Sequence, residues 1–324
     1  MTLHLTQVSN LYTLQVGDRL ISGRINDPLA NKQIICWARD AIVTLGYSGL
    51  AYDMDNSDRS NSTDEWITSR LLGAAIPRGR DGIRPVTFGG IDNHRWMDIG
   101  ESIQTLKKEL QRSFENLPKR LADYPFELTI AGWHMPSRKR IRPFVAEIRK
   151  QLNERSVKVE FPMRGRCFGN GFAVLATPGG YLTKPEETEL RIFLRSGEFS
   201  PRERAEKAEE KLVKTIRSVA TREPLRIGSH CMSVMLPPPT SGAAIRVCFH
   251  PATEHRAVFR SSARQWESPV AYTPWVIGRG RFLAPSVIAG AGKTSYIMGP
   301  FTIEFNGPTA GRFSFIGAQS RTYK

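Results

Sequence analysis

The chain opens TLHLTQVSNLYTLQVGDRLIS over residues 2–22 and, after a short polar connector, continues ANKQIICWARDAIVTLGYSGLA over residues 30–51. These two runs decide the fold. Leu3, Leu5 and Val8 are separated by polar residues, and Leu14 and Val16 alternate with Gln15 and Gly17. This is the pattern of half-buried strands, with Ser9-Asn10 as the turn between them. Ile34 to Trp37 and Ala41 to Leu45 read as a second hairpin turned at Arg39-Asp40. The first fifty residues therefore predict a sheet whose first strand is the N-terminal segment itself.

Four positions in this segment carry chemistry: Thr2 directly after Met1, Asp18 at a strand end, Lys32 before the third strand, and Gly49 in the small-residue turn Gly46-Tyr47-Ser48-Gly49. A threonine hydroxyl is a poor nucleophile until a base removes its proton. With Met1 removed, the free α-amine of Thr2 is that base, with an ordinary pKa of about 7.7–8.0. A nearby lysine ammonium helps hold the amine neutral by like-charge repulsion, and a carboxylate beside both fixes the lysine. A backbone N–H at a glycine turn stabilises the tetrahedral oxyanion. The expectation is a hydrolase in which Thr2 is the nucleophile, Asp18 and Lys32 tune it, and Gly49 donates to the oxyanion. A bland reading stands beside it. Threonine is a common second residue, an Asp after Gly at a strand end is usually a turn former, and a lone loop lysine is usually solvated.

On these residues the segment resembles the proteasome β-subunit and its bacterial two-subunit protease relative, in the N-terminal-nucleophile (Ntn) hydrolase superfamily. The separation of Thr2 from Asp18 matches that family's nucleophile-to-aspartate spacing without a gap, while Lys32 needs a small deletion in the connector. The resemblance implies an α+β fold, a four-layer αββα sandwich over residues 1–236, acting as a threonine-type hydrolase on a peptide or other amide. It also implies three supporting residues. Asn170, in Gly169-Asn170-Gly171, stands where the family has a Gly-Ser-Gly type turn before a helix, and Ser196-Gly197 is a rival for that place. Glu223, after Arg222, replaces the family's aspartate. Ser229, after Ile227-Gly228, reverses the family's order of Ser and Gly.

Further along, Thr63-Asp64-Glu65-Trp66 opens a helix capped by Ser62 or Thr63. Residues 77–95 read as an irregular excursion. Ile103, Leu106, Leu110 and Phe114 recur at helical spacing, predicting a helix from Asp98 to Leu121. Phe126 to Trp133 is a strong strand, Arg140 to Ile148 its partner, and Val157 to Phe161 a third. Ser200-Pro201-Arg202-Glu203 is a helix start, with the helix running to Thr221, and His230 to Leu236 returns as a strand. Pro237-Pro238-Pro239 marks a boundary, after which residues 243–324 form short apolar runs broken by Gly and Pro, an all-β extension.

The net charge is +15. Ten Lys or Arg against three Glu fall in residues 137–166, which leaves two readings, a solvated face with charged sheet edges or a nucleic-acid surface. Few aromatics interleave with these charges, which counts against a stacking platform and favours the solvated face. A third class is an inactive binding or assembly module, including a homo-oligomer. No apolar run is long enough for a membrane span and no leader pattern is visible, so a cytoplasmic protein is expected. Cys36, Cys167, Cys231 and Cys248 fit no metal or disulfide spacing, and the six His are dispersed, so no cofactor is expected. Gly290-Ala291-Gly292-Lys293-Thr294 has the ending of a phosphate loop without its first glycine or its helix, and Gly278-Arg279-Gly280 is too short for a dinucleotide fingerprint.

Overall fold

The structure is a computed structural model. It describes residues 3–20, 32–51, 54, 62–79, 85–92, 94–137, 140–161, 174–176, 181–195, 201–252, 257–261, 264–268, 270–289, 293–298, 300–306 and 314–316. In chain order the elements begin with β1 (His4–Val8), β2 (Thr13–Asp18), β3 (Gln33–Ala38) and β4 (Ala41–Ser48). Then come α1 (Thr63–Leu72), β5 (Phe88–Gly90), α2 (Ile99–Asn116), α3 (Lys119–Ala122), β6 (Phe126–Ser137), β7 (Arg140–Lys150), β8 (Lys158–Glu160) and β9 (Val174–Ala176). Two helices follow, α4 (Lys184–Arg195) and α5 (Pro201–Arg222), and then β10 (Cys231–Leu236), β11 (Ile245–His250), β12 (Ala257–Ser261), β13 (Arg264–Ser268) and β14 (Val270–Tyr272). The last are β15 (Trp275–Gly278), β16 (Arg281–Leu283), β17 (Val287–Ala289), β18 (Lys293–Met298), β19 (Phe301–Asn306) and β20 (Ser314–Ile316).

Two large mixed sheets dominate. One runs β18-β19-β11-β10-β2-β1-β9, the other β5-β16-β15-β3-β4-β6-β7-β8. Residues after the Pro237–Pro239 segment enter both. β11 pairs antiparallel with β10, and β15 lies parallel to β3.

Three apolar clusters hold these layers. Sheet residues Leu45, Leu128 and Ile148 pack with Trp66 and Ile67 of α1 and with Ile103, Leu106 and Leu110 of α2. Leu5, Leu14 and Val16 pack with Leu190 of α4 and with Leu212, Ile216 and Val219 of α5. Ile35, Ile42 and Trp133 meet Val234, Val247, Ile303 and Phe305 between the two sheets.

The β1–β2 hairpin corrects the expectation of a half-buried ribbon, since every residue of both strands is buried. Its polar residues face the second sheet, not water. Gln15 Nε2 donates to Thr6 Oγ1 at 3.2 Å, Thr44 Oγ1 donates to Gln15 Oε1 at 3.1 Å, and Gln33 Nε2 donates to the Gln15 carbonyl at 3.1 Å. Alternation records two faces of different polarity, and here buried partners satisfy the polar one. The turn is also longer than Ser9-Asn10, because Val8 pairs with Thr13 and the Ser9 N–H donates to the Tyr12 carbonyl at 3.1 Å.

Helix α2 starts in a capping box. The Asp98 carboxylate accepts from the Glu101 N–H at 2.8 Å, and the Glu101 carboxylate accepts from the Asp98 N–H at 3.1 Å. The expected single helix to Leu121 breaks at Leu117, which takes ψ 148° because it precedes Pro118. The cap of α1 differs as well: Ser62 makes no side-chain cap bond, and Thr63 Oγ1 donates to the Leu50 carbonyl at 2.7 Å. Within the excursion over residues 77–95, β5 pairs with β16. No helix among the described residues is long and apolar enough to cross a membrane.

Candidate functional site

The antiparallel register His4 to Gly17 brings Leu3 beside Asp18. The Leu3 N–H donates to Asp18 Oδ1 at 2.7 Å, and the Asp18 N–H returns a bond to the Leu3 carbonyl at 3.1 Å. Asp18 Oδ2 accepts from the N–H groups of Leu20 and Gly228, both at 3.1 Å. Lys32, one residue before β3, places Nζ 3.6 Å from Asp18 Oδ2 and donates to the Leu20 carbonyl. Both side chains are buried, at 0% exposure for Asp18 and 2% for Lys32. A charge pair so far from water persists only where hydrogen bonds satisfy it, and three backbone N–H groups do so here.

Gly228, and not the Ser229 singled out in the sequence, contributes a backbone bond to Asp18. A Cβ on Gly228 would lie 2.7 Å from Leu20 Cβ and 3.0 Å from the Leu20 nitrogen, so a side chain would push the turn off Asp18. The signal available in the sequence was a glycine in a turn leading into a strand beside β2. Gly49 has φ +108°, and a Cβ there would stand 2.3 Å from the Pro125 carbonyl oxygen. Two residues before it, the Tyr47 N–H donates to the Lys32 carbonyl at 3.2 Å, so this end of β4 lies beside Lys32.

Thr2 and Asn170 lie outside the described residues. Neither Glu223 nor Ser229 bonds Asp18 or Lys32 through its side chain among the described residues. The Glu223 carboxylate is 3.7 Å from Arg226, and the Ser229 carbonyl accepts from Arg217 Nε at 3.3 Å. The structure therefore gathers Lys32, Gly228 and the Leu3 backbone around Asp18.

His4 is buried in this region. Its Nε2 donates to the Tyr47 carbonyl at 2.9 Å, its ring lies over Gly17, and its Nδ1 has no partner among the described residues. Burial first, and then the charge of Lys32, push the imidazole down to about 3, so it is neutral beside the ion pair. Tyr181 belongs to the same electrostatic neighbourhood. Burial raises its phenol above the ordinary range, and the charges of Glu223, Asp18 and Glu127 add to this against the opposing pull of Arg226.

The basic segment is largely paired where it is described. Arg149 lies 2.6 Å from Glu147 and 3.5 Å from Glu160, and Lys158 lies 3.1 Å from Glu154. Lys150 is buried, with Nζ donating to the Tyr124 carbonyl at 2.8 Å and sitting 4.9 Å from the Phe114 ring centre. Among the described residues no group of three or more His, Cys, Asp or Glu could hold a metal ion. Burial pushes the thiols of Cys36 and Cys248 up to about 12 and about 11, which suppresses thiolate chemistry at both. Lys293 and Thr294 begin the strand β18.

No family model matches the chain, and no curated protein matches it. Among solved structures it is similar to Anbu (ancestral beta-subunit) from Yersinia bercovieri, with 10% identity over 72% of this chain and 81% of that one and a TM-score of 0.41. It is also similar to the Anbu complex from Pseudomonas aeruginosa, described as a helical assembly, with 12% identity, 72% and 81% coverage and a TM-score of 0.44. Anbu from Hyphomicrobium sp. strain MC1 gives 10% identity, 72% and 82% coverage and a TM-score of 0.39. These findings correct the resemblance to the proteasome β-subunit and the Ntn hydrolase superfamily. No family model supports membership, and likenesses at TM-scores below 0.5 and identities of 10–12% carry no argument for it.

Proposed function

We propose that the chain hydrolyses amide bonds, in peptides or smaller amides, through the hydroxyl of Thr2 after loss of Met1. One observation carries this reading. Asp18, buried and paired with Lys32, accepts from the backbone N–H of Leu3, the residue next to Thr2 in sequence. In the proposed mechanism the Thr2 hydroxyl attacks the amide carbonyl carbon, and its α-amine takes the proton. The oxyanion is met by the Gly49 N–H. The amine then passes the proton to the leaving nitrogen, the C–N bond breaks, and an ester on Thr2 remains. Water, deprotonated by the same amine, hydrolyses it.

Lys32 keeps the amine neutral through its charge, and Asp18 holds Lys32 in place. Asn170, Glu223 and Ser229 are proposed as supporting residues around this centre. The stacking of α1 and α2, the eight-stranded sheet, the seven-stranded sheet, and α4 and α5 is proposed as a four-layer αββα sandwich over residues 1–236, with residues 243–324 adding strands.

The test is the intact mass of the untagged chain, followed by a panel of peptide and amide substrates. Loss of one Met and activity that disappears in Thr2→Ala but persists in Thr2→Ser are expected. A Thr2→Ala protein with full activity overturns the reading.

A second reading rests on the same bonds. Asp18 accepts from three backbone N–H groups and so ties β1, the start of the connector and the 227–229 turn together. That is also the design of a structural knot in an inactive binding or assembly module. Retention of Met1 in the mature chain favours it.

A further inference from the structure

At the end of β3 opposite Lys32, the hairpin joining β15 and β16 turns through Arg279 and Gly280. Both take left-handed φ, 51° and 71°. Two-residue turns of this kind favour Asn-Gly, and an arginine in the first position is disfavoured by its own backbone. Aromatic contacts hold it there. The guanidinium carbon of Arg279 lies 4.6 Å from the ring centre of Trp37 and 4.6 Å from that of Trp96. The rings are themselves fixed: they meet edge to face at 5.2 Å, Trp96 Nε1 donates to the Trp37 carbonyl at 3.0 Å, and Trp37 stands edge-on to Phe301 at 5.4 Å. The flanking glycines permit this packing. A Cβ on Gly278 would lie 2.9 Å from Trp37 Cβ, and one on Gly280 would lie 2.7 Å from His94 Cβ.

Among the described residues the exposed Arg279 has neither a carboxylate nor a hydrogen-bond partner. Nearby Arg39 is paired with Asp98 at 2.7 Å, and Arg95 with Glu101. The two perpendicular rings pack on one side of the guanidinium and leave its outer N–H edge for an acceptor. That edge fits two oxygens of one carboxylate or phosphate. His94 lines the same small cavity as Trp37, Trp96 and Arg279, with Nδ1 donating to the Leu72 carbonyl at 2.8 Å. Strained backbone that aromatic packing holds in place is the kind of outlier that marks a binding site.

We propose that Arg279, packed against Trp37 and Trp96, is an oxyanion-binding site that takes a carboxylate or phosphate group of a ligand. The site lies apart from Asp18 and Lys32 and does not depend on the chemistry proposed there.

The test is calorimetric titration of the full chain with acetate and, separately, inorganic phosphate at constant ionic strength. Saturable one-site binding of at least one anion is expected, weakened at least about tenfold in Arg279→Gly. Glycine suits the turn, so Arg279→Gly melts at the same temperature as the parent or higher. Trp96→Leu, which keeps the guanidinium and loosens its packing, also weakens binding. Tighter binding of acetate assigns the site to a carboxylate-bearing ligand, and tighter binding of phosphate to a phosphorylated one. No saturable binding of either anion, or equal binding by Arg279→Gly, overturns the proposal and leaves Arg279 as a structural clasp.

Discussion

Leu3 and Asp18 bond each other twice: the Leu3 N–H donates to the Asp18 carboxylate at 2.7 Å, and the Asp18 N–H donates to the Leu3 carbonyl at 3.1 Å. The start of the chain is thereby fastened to a buried ion pair. Asp18→Asn removes the charge that balances Lys32 and presents an NH2 group where N–H donors already point. It should cost about 3–5 kcal/mol by chemical denaturation, the range for stripping one partner from a buried pair. Adding Lys32→Met should recover part of that loss. A single-mutant cost indistinguishable from zero would contradict a buried, mutually dependent pair.

Lys32→Met also carries a prediction for the proposed chemistry. Without a neighbouring positive charge, the Thr2 α-amine holds its proton more tightly. The neutral base then forms only at higher pH, so the acidic limb of the kcat/KM profile should move alkaline by about one pH unit. A limb that stays in place would mean that Lys32 does not act on the amine.

Gly49→Ala forces a side chain into φ +108° and onto the Pro125 carbonyl 2.3 Å away. Both faults fall on rigid backbone, so a loss of more than about 1 kcal/mol is expected in thermal or chemical unfolding. Gly73→Ala is the control, because its Cβ would meet nothing within 4 Å although φ is also positive, at 68°. It should lose less.

His4 makes stability depend on pH in mild acid. Its folded-state value is depressed from 6.5 to about 3 by burial and by Lys32, so the unfolded chain takes up a proton that the folded chain refuses. Stability from this group is complete above pH 6.5 and falls as pH drops toward 3, by up to about 1.4 kcal/mol per pH unit. His4→Asn should be less stable at neutral pH and should flatten the slope between pH 5 and 6.5. An unchanged slope would exclude His4 as its source.

A second buried cluster acts at lower pH. Burial pushes the Glu209 carboxyl up, but bonds from His250 and Ser233 and the charges of His250 and Arg246 outweigh it and hold it below the ordinary 4.5. Arg246 Nη2 lies 2.8 Å from Glu209 Oε2, and Ser233 Oγ is 3.0 Å from His250 Nε2. A depressed carboxyl contributes stability above its unfolded value and loses it as pH falls below about 4.5. Glu209→Gln should therefore weaken the fold at pH 7 by about 1–3 kcal/mol and remove that acid component. Equal stability of parent and Glu209→Gln at pH 7 would count against the network.

The N-terminal hairpins and the apolar stripes of α2 and α5 were legible in the sequence because they are local. The alternation of Leu14 and Val16 with Gln15, and the recurrence of Ile103, Leu106, Leu110 and Phe114, follow directly from strand and helix geometry. The break at Leu117 was equally local and lay in the following proline. α4 was missed although local residues mark it: Thr183 and Glu186 form a capping box at its start, and Leu190 and Leu194 recur at helical spacing toward the α5 cluster.

What only tertiary structure decided is where long-range pairings lead. Alternation in β1 and β2 cannot say whether the polar face meets water or another sheet, and here it meets Thr44, Gln33 and Tyr47. Nor can spacing show that Gly228, 210 residues from Asp18, supplies one of its hydrogen bonds. Sequence alone determined the N-terminal strands, the apolar stripes of α2 and α5, and the candidate residues Asp18 and Lys32. The tertiary fold determined that the two lie within 3.6 Å of each other and out of water, because burial and charge pairing depend on which distant segments close over them.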